Sequence, residues 1–252
     1  MSIHSLPGVL FCAAWGLSRV VLSRELSREE IRYICKHSPI EIEVFVHGAL
    51  CFCHSGQCYM SSLIGRRSGN RGMCAQPCRW NFKVKSMEIV EEKREDNPIP
   101  LEELNGETFI MSSRDTCTIE HIPELIEAGI DSFKIEGRMK SAYYTAVVTN
   151  TYKMAIDSYF SASYEYDEKW YKELESVSHR DYATGYYYSD SHTDANTSST
   201  TGYIKDKAYL AVVLSYNEKT GIAELSQRNK MQTGDSVELL SPGKCGVPLT
   251  VG

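Results

Sequence analysis

The sequence predicts an α/β protein in which helices cover a mostly parallel sheet, followed by a small β module. Strand-like and helix-like periodicities alternate through the first 160 residues, the pattern that a parallel sheet with helical crossovers requires. After residue 165 the chain turns polar and rich in turn formers. Two stretches beyond it, 210–227 and 231–243, read as β-hairpins.

In chain order, "LPGVLFCAAWGL" (6–17) is an apolar helix that leads into the strand "RVVLS" (19–23). "SREEIRYICKHS" opens with a capping box, Ser27 and Glu30, and places Ile31, Ile34 and Cys35 at helical spacing. In "IEIEVFV" (40–46), Ile40, Ile42, Val44 and Val46 alternate with Glu41, Glu43 and Phe45, which is strand periodicity. A Gly- and Arg-rich stretch runs to about residue 85, and "EEKREDNPIP" (91–100) reads as a solvated excursion. "ETFIMSS" is then a strand, "IEHIPELIEAG" a helix closed by Gly129, "DSFKIEG" a strand and "SAYYTAVVTNTYKMAIDSYF" a long helix. "YDEKWYKELESVS" adds one more helix. Domains of 1–190 and 200–252 follow. Four strands in the first 160 residues fall short of an eightfold barrel, which takes roughly 250 residues, so the sheet is either open or part of a barrel.

Composition narrows the function classes. Hydrophobic residues at 42% and charged residues at 24% mark a globular chain, and no apolar run reaches the length of a spanning helix. A net charge of -6 argues against wholesale coating of nucleic acid but leaves room for a local basic patch. No Lys or Arg precedes the apolar stretch at 6–17, so it lacks the basic start of a secretory signal and the cytoplasm is the expected location. Nine cysteines in such a chain (Cys12, Cys35, Cys51, Cys53, Cys58, Cys74, Cys78, Cys117 and Cys245) point to metal binding, redox chemistry or burial rather than a disulfide framework.

Ligands in parallel α/β folds bind at the carboxyl ends of strands, and three polar clusters fall at such ends. "HGALCFC" follows the strand at 40–46, "SSRD" (Ser112, Ser113, Arg114, Asp115) follows a strand at about 107–111, and "EGRMK" follows the strand at 131–135. In a parallel sheet all three face one side. Cys51, Cys58, Cys74 and Cys78 are spaced C-x6-C-x15-C-x3-C, with Cys53 as an extra. Four thiolates suit zinc or an iron-sulfur cluster, and the lack of tight C-x2-C pairs tilts toward a cluster. Burial as ordinary core thiols suits Cys12 and Cys35 on apolar helix faces better than these four, which lie among Gly, Ser, Arg and Gln.

Arg66, Arg67, Arg71, Arg79, Lys83 and Lys85 occupy a stretch without an acidic residue. They form a candidate phosphate-gripping surface, with a solvated loop as the alternative; Trp80 and Phe82 stack on bases or belong to the core. Lys134, Glu136 and Arg138 share one face of a strand end and suit an anionic substrate if they point inward. His47, His54 and His179 are candidate bases. H-E-x-x-H and G-x-S-x-G are absent, and a Cys–His nucleophilic pair stays open.

The block "EVFVHGALCFCHSGQCYMS" (43–61) carries E-x-F-x-x-G-[SA]-[LIVM]-C-x4-G-x-C-x-[LIVM]-S through Glu43, Phe45, Gly48, Ala49, Leu50, Cys51, Gly56, Cys58, Met60 and Ser61. It resembles the signature of the U32 peptidase family. "SGNRGMCAQPCRW", "IMSSRD", "DSFKIEGRMKSAYY" and "SHRDYATGYY" resemble further blocks of that family in the same order. The resemblance implies a (β/α) TIM-like barrel, here partial, followed by a small, truncated β-barrel-like domain. It implies either oxygen-independent hydroxylation, as on the wobble uridine of tRNA, or a collagenase-like peptidase. For the first it implies a [4Fe-4S] cluster on Cys51, Cys58, Cys74 and Cys78, with Cys117 in reserve for Cys78, and prephenate as the candidate oxygen donor. Residue type and position at strand ends offer His47, Glu136 and His179 for catalysis and Ser113, Asp115, Lys134 and Arg138 for substrate binding, and the resemblance makes Lys134, Glu136 and Arg138 candidates to hold a dicarboxylate such as prephenate. Arg66, Arg67, Arg71, Arg79 and Lys83 would contact RNA. Family members begin with several βα units ahead of the strand equivalent to "RVVLS", so the chain is expected to be a fragment, with a partner chain as one source of the missing strands.

Overall fold

A computed structural model of the chain describes residues 2–63, 66–80, 103–104, 107–108, 113–161, 164–189 and 203–252. The described chain divides into two compact units, 1–139 with 180–203 and 140–179 with 204–252.

The first unit holds helix α1 (Leu6–Ala14), strand β1 (Arg19–Val21), helix α2 (Arg28–His37), strand β2 (Glu41–Ala49) and the short helix α3 (Met60–Leu63). The two-residue strands β3 (Glu103–Leu104) and β4 (Glu107–Thr108), strand β5 (Asp115–Cys117), helix α4 (Ile122–Glu127) and strand β6 (Ser132–Ile135) follow. The second unit holds the helices α5 (Ala142–Phe160) and α6 (Glu168–Glu175). The chain then returns to the first unit as β7 (Tyr182–Ala183) and ends in the second with β8 (Ala211–Asn217), β9 (Ile222–Gln227), β10 (Ser236–Leu239) and β11 (Val247–Thr250).

Local chemistry sets these boundaries. Ser27 accepts from the Glu30 amide while the Glu30 side chain reaches back to the Ser27 amide, so the capping box that opens α2 is complete. Ser141 and Asp167 cap α5 and α6 through their side-chain oxygens. Gly129, at φ +87°, stops the chain after α4. The β8–β9 turn is held by the Asn217 side chain, which accepts from the Lys219 and Thr220 amides.

β2 organises the sheet. It pairs in parallel with β1 and with β6, as the strand-helix alternation predicts. It pairs antiparallel with β5, and β5 runs parallel to β7. The sheet is therefore mixed rather than all parallel, and no closed barrel forms among the described residues. The strand expected at about 107–111 is seen only as β4, paired antiparallel with β3; residues 109–112, including Ser112, lie outside the described residues, as do 81–102 and 190–202. One face of β2 is apolar: Ile42, Val44 and Val46 are buried with Val9, Val20, Leu22, Ile31, Ile34, Ile122 and Leu125. The other face begins with paired charges and continues into the buried Phe45. Glu43 accepts from Ser132 at 2.8 Å and from Lys134 at 2.9 Å, and Arg19 donates to Glu41 at 2.7 Å.

In the second unit, Val147, Val148, Tyr152 and Ala155 of α5 and Trp170 and Leu174 of α6 form the buried stripe. β8 pairs with β9 and β10 with β11, both antiparallel. The second hairpin begins in the predicted stretch but is closed by Val247–Thr250, beyond its expected end at 243. No described helix is long and apolar enough to cross a membrane.

Candidate functional site at the carboxyl end of the second strand

The three predicted polar clusters meet at the end of β2, although not all for the predicted reason. Ala49 is in register with Asp115 because β5 runs antiparallel, which brings the start of β5 beside the end of β2. The third cluster arrives through the parallel pairing: the Glu136 amide donates to the His47 carbonyl at 2.9 Å. Gly48 makes this approach close enough to forbid a side chain. It sits at φ +106°, and a Cβ there would stand 2.3 Å from the Glu136 carbonyl oxygen.

The thiols leave this point on the loop that begins at Cys51. Cys78 lies within electrostatic reach of Cys51, Cys74 and Cys58, and Cys53 of Cys58, Cys78 and Cys51. Burial, then the neighbouring Cys58 thiol, pushes Cys53 up to about 11. Packing around the sulfur raises Cys51, an otherwise exposed residue, while Arg24 offsets part of the rise and donates to its Sγ at 2.9 Å. Burial raises Cys78 too, and the charge of Arg79 works against it. Gln76 links the loop to the third cluster: its amide donates to Cys74 Sγ at 3.3 Å and its Nε2 to Glu136 Oε2 at 3.4 Å. It does so at φ +54°, a left-handed conformation that a residue with a Cβ adopts at a cost.

The donor types suit a sulfur-preferring metal group: thiols within electrostatic reach of one another, with two guanidiniums beside Cys51 and Cys78 that favour the thiolate form. Among the described residues no three His, Cys, Asp or Glu side chains close on a single ion. Cys117, the reserve ligand, lies in β5 in register with His47.

Beneath the loop lies a buried ionic network. Arg79 Nη1 donates to Asp115 Oδ1 at 2.5 Å, and the two side chains are 3% and 1% exposed. Asp115 Oδ2 accepts from the Arg180 amide at 3.2 Å, and Arg180 Nη2 donates to the Arg79 carbonyl at 3.3 Å. Arg79 was expected to grip RNA from the surface, and Asp115 to bind substrate; the structure makes them partners of one another in the interior. Ser113, also predicted to bind substrate, is buried and donates to the Leu50 carbonyl at 2.7 Å.

The other predicted residues are distributed unevenly. His47 is buried on β2 with its ring 5.4 Å from that of Tyr182. Lys134 is paired with Glu43, so the expected trio with Glu136 and Arg138 does not present a row of unpaired charges; Arg138 is exposed and its amide donates to Glu136 Oε1 at 3.1 Å. His179 belongs to the second unit, where its backbone exchanges hydrogen bonds with Ile204. Arg66, Arg67 and Arg71 are exposed, Trp80 is 41% exposed, and Lys83, Lys85 and Phe82 lie outside the described residues. Sequence reasoning missed Arg24, which covers the Phe45 ring at 3.8 Å while bonding Cys51, and Arg180, which is fully buried. Arg24 follows β1 at its carboxyl end, the positional signal that selected the other clusters.

Fold and site together define a mixed α/β protein with a thiol-bearing loop at the end of its central strand. The model of peptidase family U32 matches residues 1–197, and that of the peptidase family U32 C-terminal domain matches residues 205–252. The chain belongs to peptidase family U32. It is 37% identical to the tRNA hydroxylation protein P1 of Bacillus subtilis over 248 residues, 96% of this chain and 56% of the relative. Against the tRNA hydroxylation protein P of Escherichia coli the identity is 34%, covering 93% of this chain and 59% of the relative. A collagenase of Porphyromonas gingivalis is 33% identical over 88% of this chain and 55% of its own length. The chain thus spans somewhat over half the length of these curated relatives. No solved structure gives a significant match.

Proposed function

We propose that the chain is the cluster-bearing part of an RNA-modifying enzyme that hydroxylates the wobble uridine of tRNA, with prephenate as the oxygen donor. The observation that supports this reading is that Cys51 follows the end of β2 and Cys78 lies within electrostatic reach of Cys51, Cys58 and Cys74. The substrate class comes from the similarity to two bacterial tRNA hydroxylation proteins. In the architecture that accompanies this proposal, 1–190 is a partial β/α barrel and 200–252 a small β domain.

Cys51, Cys58, Cys74 and Cys78 would hold the [4Fe-4S] cluster, which when bound supplies one-electron chemistry. Arg24 and Arg79 offset the charge of the thiolates beside them. Lys134 and Arg138 remain candidates to hold a dicarboxylate, Lys134 by exchanging Glu43 for the ligand. Arg66, Arg67 and Arg71 are exposed where tRNA phosphates would be gripped. His47 and Glu136, joined through their backbones, are the proposed proton-handling pair, with His179 as a further candidate.

A second reading, a peptidase, is favoured by the similarity to the collagenase. Loss of 5-hydroxylated uridine from tRNA in cells lacking the protein, restored by the native chain in its full-length context but not by Cys58→Ala, supports hydroxylation. Unchanged tRNA together with gelatin cleavage by the purified protein would replace it with the peptidase.

A further inference from the structure

We propose that Arg79 is a positioning residue that clamps both ends of the cysteine loop and thereby presets the thiols for their metal group. The identity of that group rests on the cluster reading above; the clamp itself rests on geometry. Leu50 immediately precedes Cys51, and Arg79 immediately follows Cys78. Arg79 Nη2 donates to the Leu50 carbonyl at 3.2 Å, to Ser113 Oγ at 3.3 Å and to the Arg114 carbonyl at 3.3 Å, while Nη1 holds Asp115. Ser113 Oγ closes the circuit by donating to the same Leu50 carbonyl. One buried side chain therefore fastens the start of the loop, its end and the chain entering β5.

The residue type matters. A guanidinium is planar and presents five donors in a fixed fork, so it can meet several acceptors at once. A lysine ammonium in its place is a single nitrogen: it can hold Asp115, as Nη1 does, or sit where Nη2 meets Leu50, Ser113 and Arg114, but it cannot do both at once. Loop ends separated by 29 residues separate readily without a tie, because holding them together costs chain entropy. Arg180 reinforces the carboxyl end by donating to the Arg79 carbonyl and, through its amide, to Asp115.

The test uses the full chain, native and with Arg79→Lys, and a second variant, Arg79→Met with Asp115→Leu, that removes both charges together. Folding is checked by circular dichroism and urea unfolding. Alkylation rates of individual cysteines are then read by mass spectrometry on metal-free protein, and iron and sulfide are measured after anaerobic reconstitution. In folded Arg79→Lys, Cys51 and Cys78 should alkylate about tenfold faster than in the native chain while Cys35 is unchanged, and iron per chain should fall below about half the native value. If Arg79→Lys does not fold, the double variant should show the same pattern. Native alkylation rates and native iron in either folded variant would overturn the clamp. Unfolding of both would also overturn it, by assigning Arg79 to global stability. A native chain that takes up no iron would overturn the cluster reading instead, and the alkylation rates would still decide the clamp.

Discussion

Removing the Asp115 carboxylate should be among the most damaging single changes in the first unit. Asp115→Ala leaves the Arg79 guanidinium, 3% exposed, without its counter-charge, and leaves the Arg180 amide without the Oδ2 acceptor. Two hydrogen bonds to a charged group at about 1.5–3 kcal/mol each agree with the roughly 3–5 kcal/mol found when one partner of a buried ion pair is removed. That is a large share of a typical stability of about 5–15 kcal/mol. With a urea dependence of about 2 kcal/mol per molar, the midpoint should fall by roughly 1.5–2.5 M. The control is Arg79→Met with Asp115→Leu, which removes both charges and should lose at least about 2 kcal/mol less than the single change. A single-variant loss under about 1 kcal/mol, or a double variant as unstable as the single one, would refute this account of the buried pair.

Gly48→Ala must carry a Cβ at φ +106° against the Glu136 carbonyl, and strain plus overpacking should cost about 3 kcal/mol or more; a near-native melting temperature would contradict the close β2–β6 approach. Burial pushes the Glu43 carboxyl up, but hydrogen bonds from Lys134 and Ser132, with the charges of Lys134 and Arg19, outweigh it and leave its pKa lowered. Its contribution is therefore present above the unfolded value near 4.5 and lost as the pH falls through the lower folded value, so Glu43→Gln should flatten the acid limb of a stability profile. Burial, then the charge of Asp131, pushes the Cys35 thiol up to about 11. Its alkylation rate should keep rising past pH 9 toward that value, and a plateau near pH 9 would show an ordinary thiol.

Much of the first unit was legible in the sequence because its signals are local. The Ser27–Glu30 capping box and the alternation of Ile42, Val44 and Val46 with Glu43 and Phe45 depend on residues a few positions apart. Strand direction is not a local property. Alternation has the same period in a parallel and an antiparallel strand, so the antiparallel β5 was hidden even though it still delivers Asp115 to the end of β2. Charge without burial misled in the same way. Arg79 reads as one of a run of surface cations until Asp115, 36 residues on, is seen to neutralise it. Arg180 sits beside a histidine that attracted attention for its chemistry, and only the fold shows the arginine to be the interior residue. The spacing of Cys51, Cys58, Cys74 and Cys78 is legible in the sequence as well, and it offers them as a candidate ligand set.

The central claim, a sulfur-ligated iron cluster on the cysteines between Cys51 and Cys78, is tested most directly by iron and acid-labile sulfide content with an absorption spectrum on chain purified without oxygen. About four irons and four sulfides per chain, lost in each of Cys51→Ala, Cys58→Ala, Cys74→Ala and Cys78→Ala but retained in Cys35→Ala, is the predicted result. Folded, colourless protein without iron, or iron that survives all four substitutions, would contradict it.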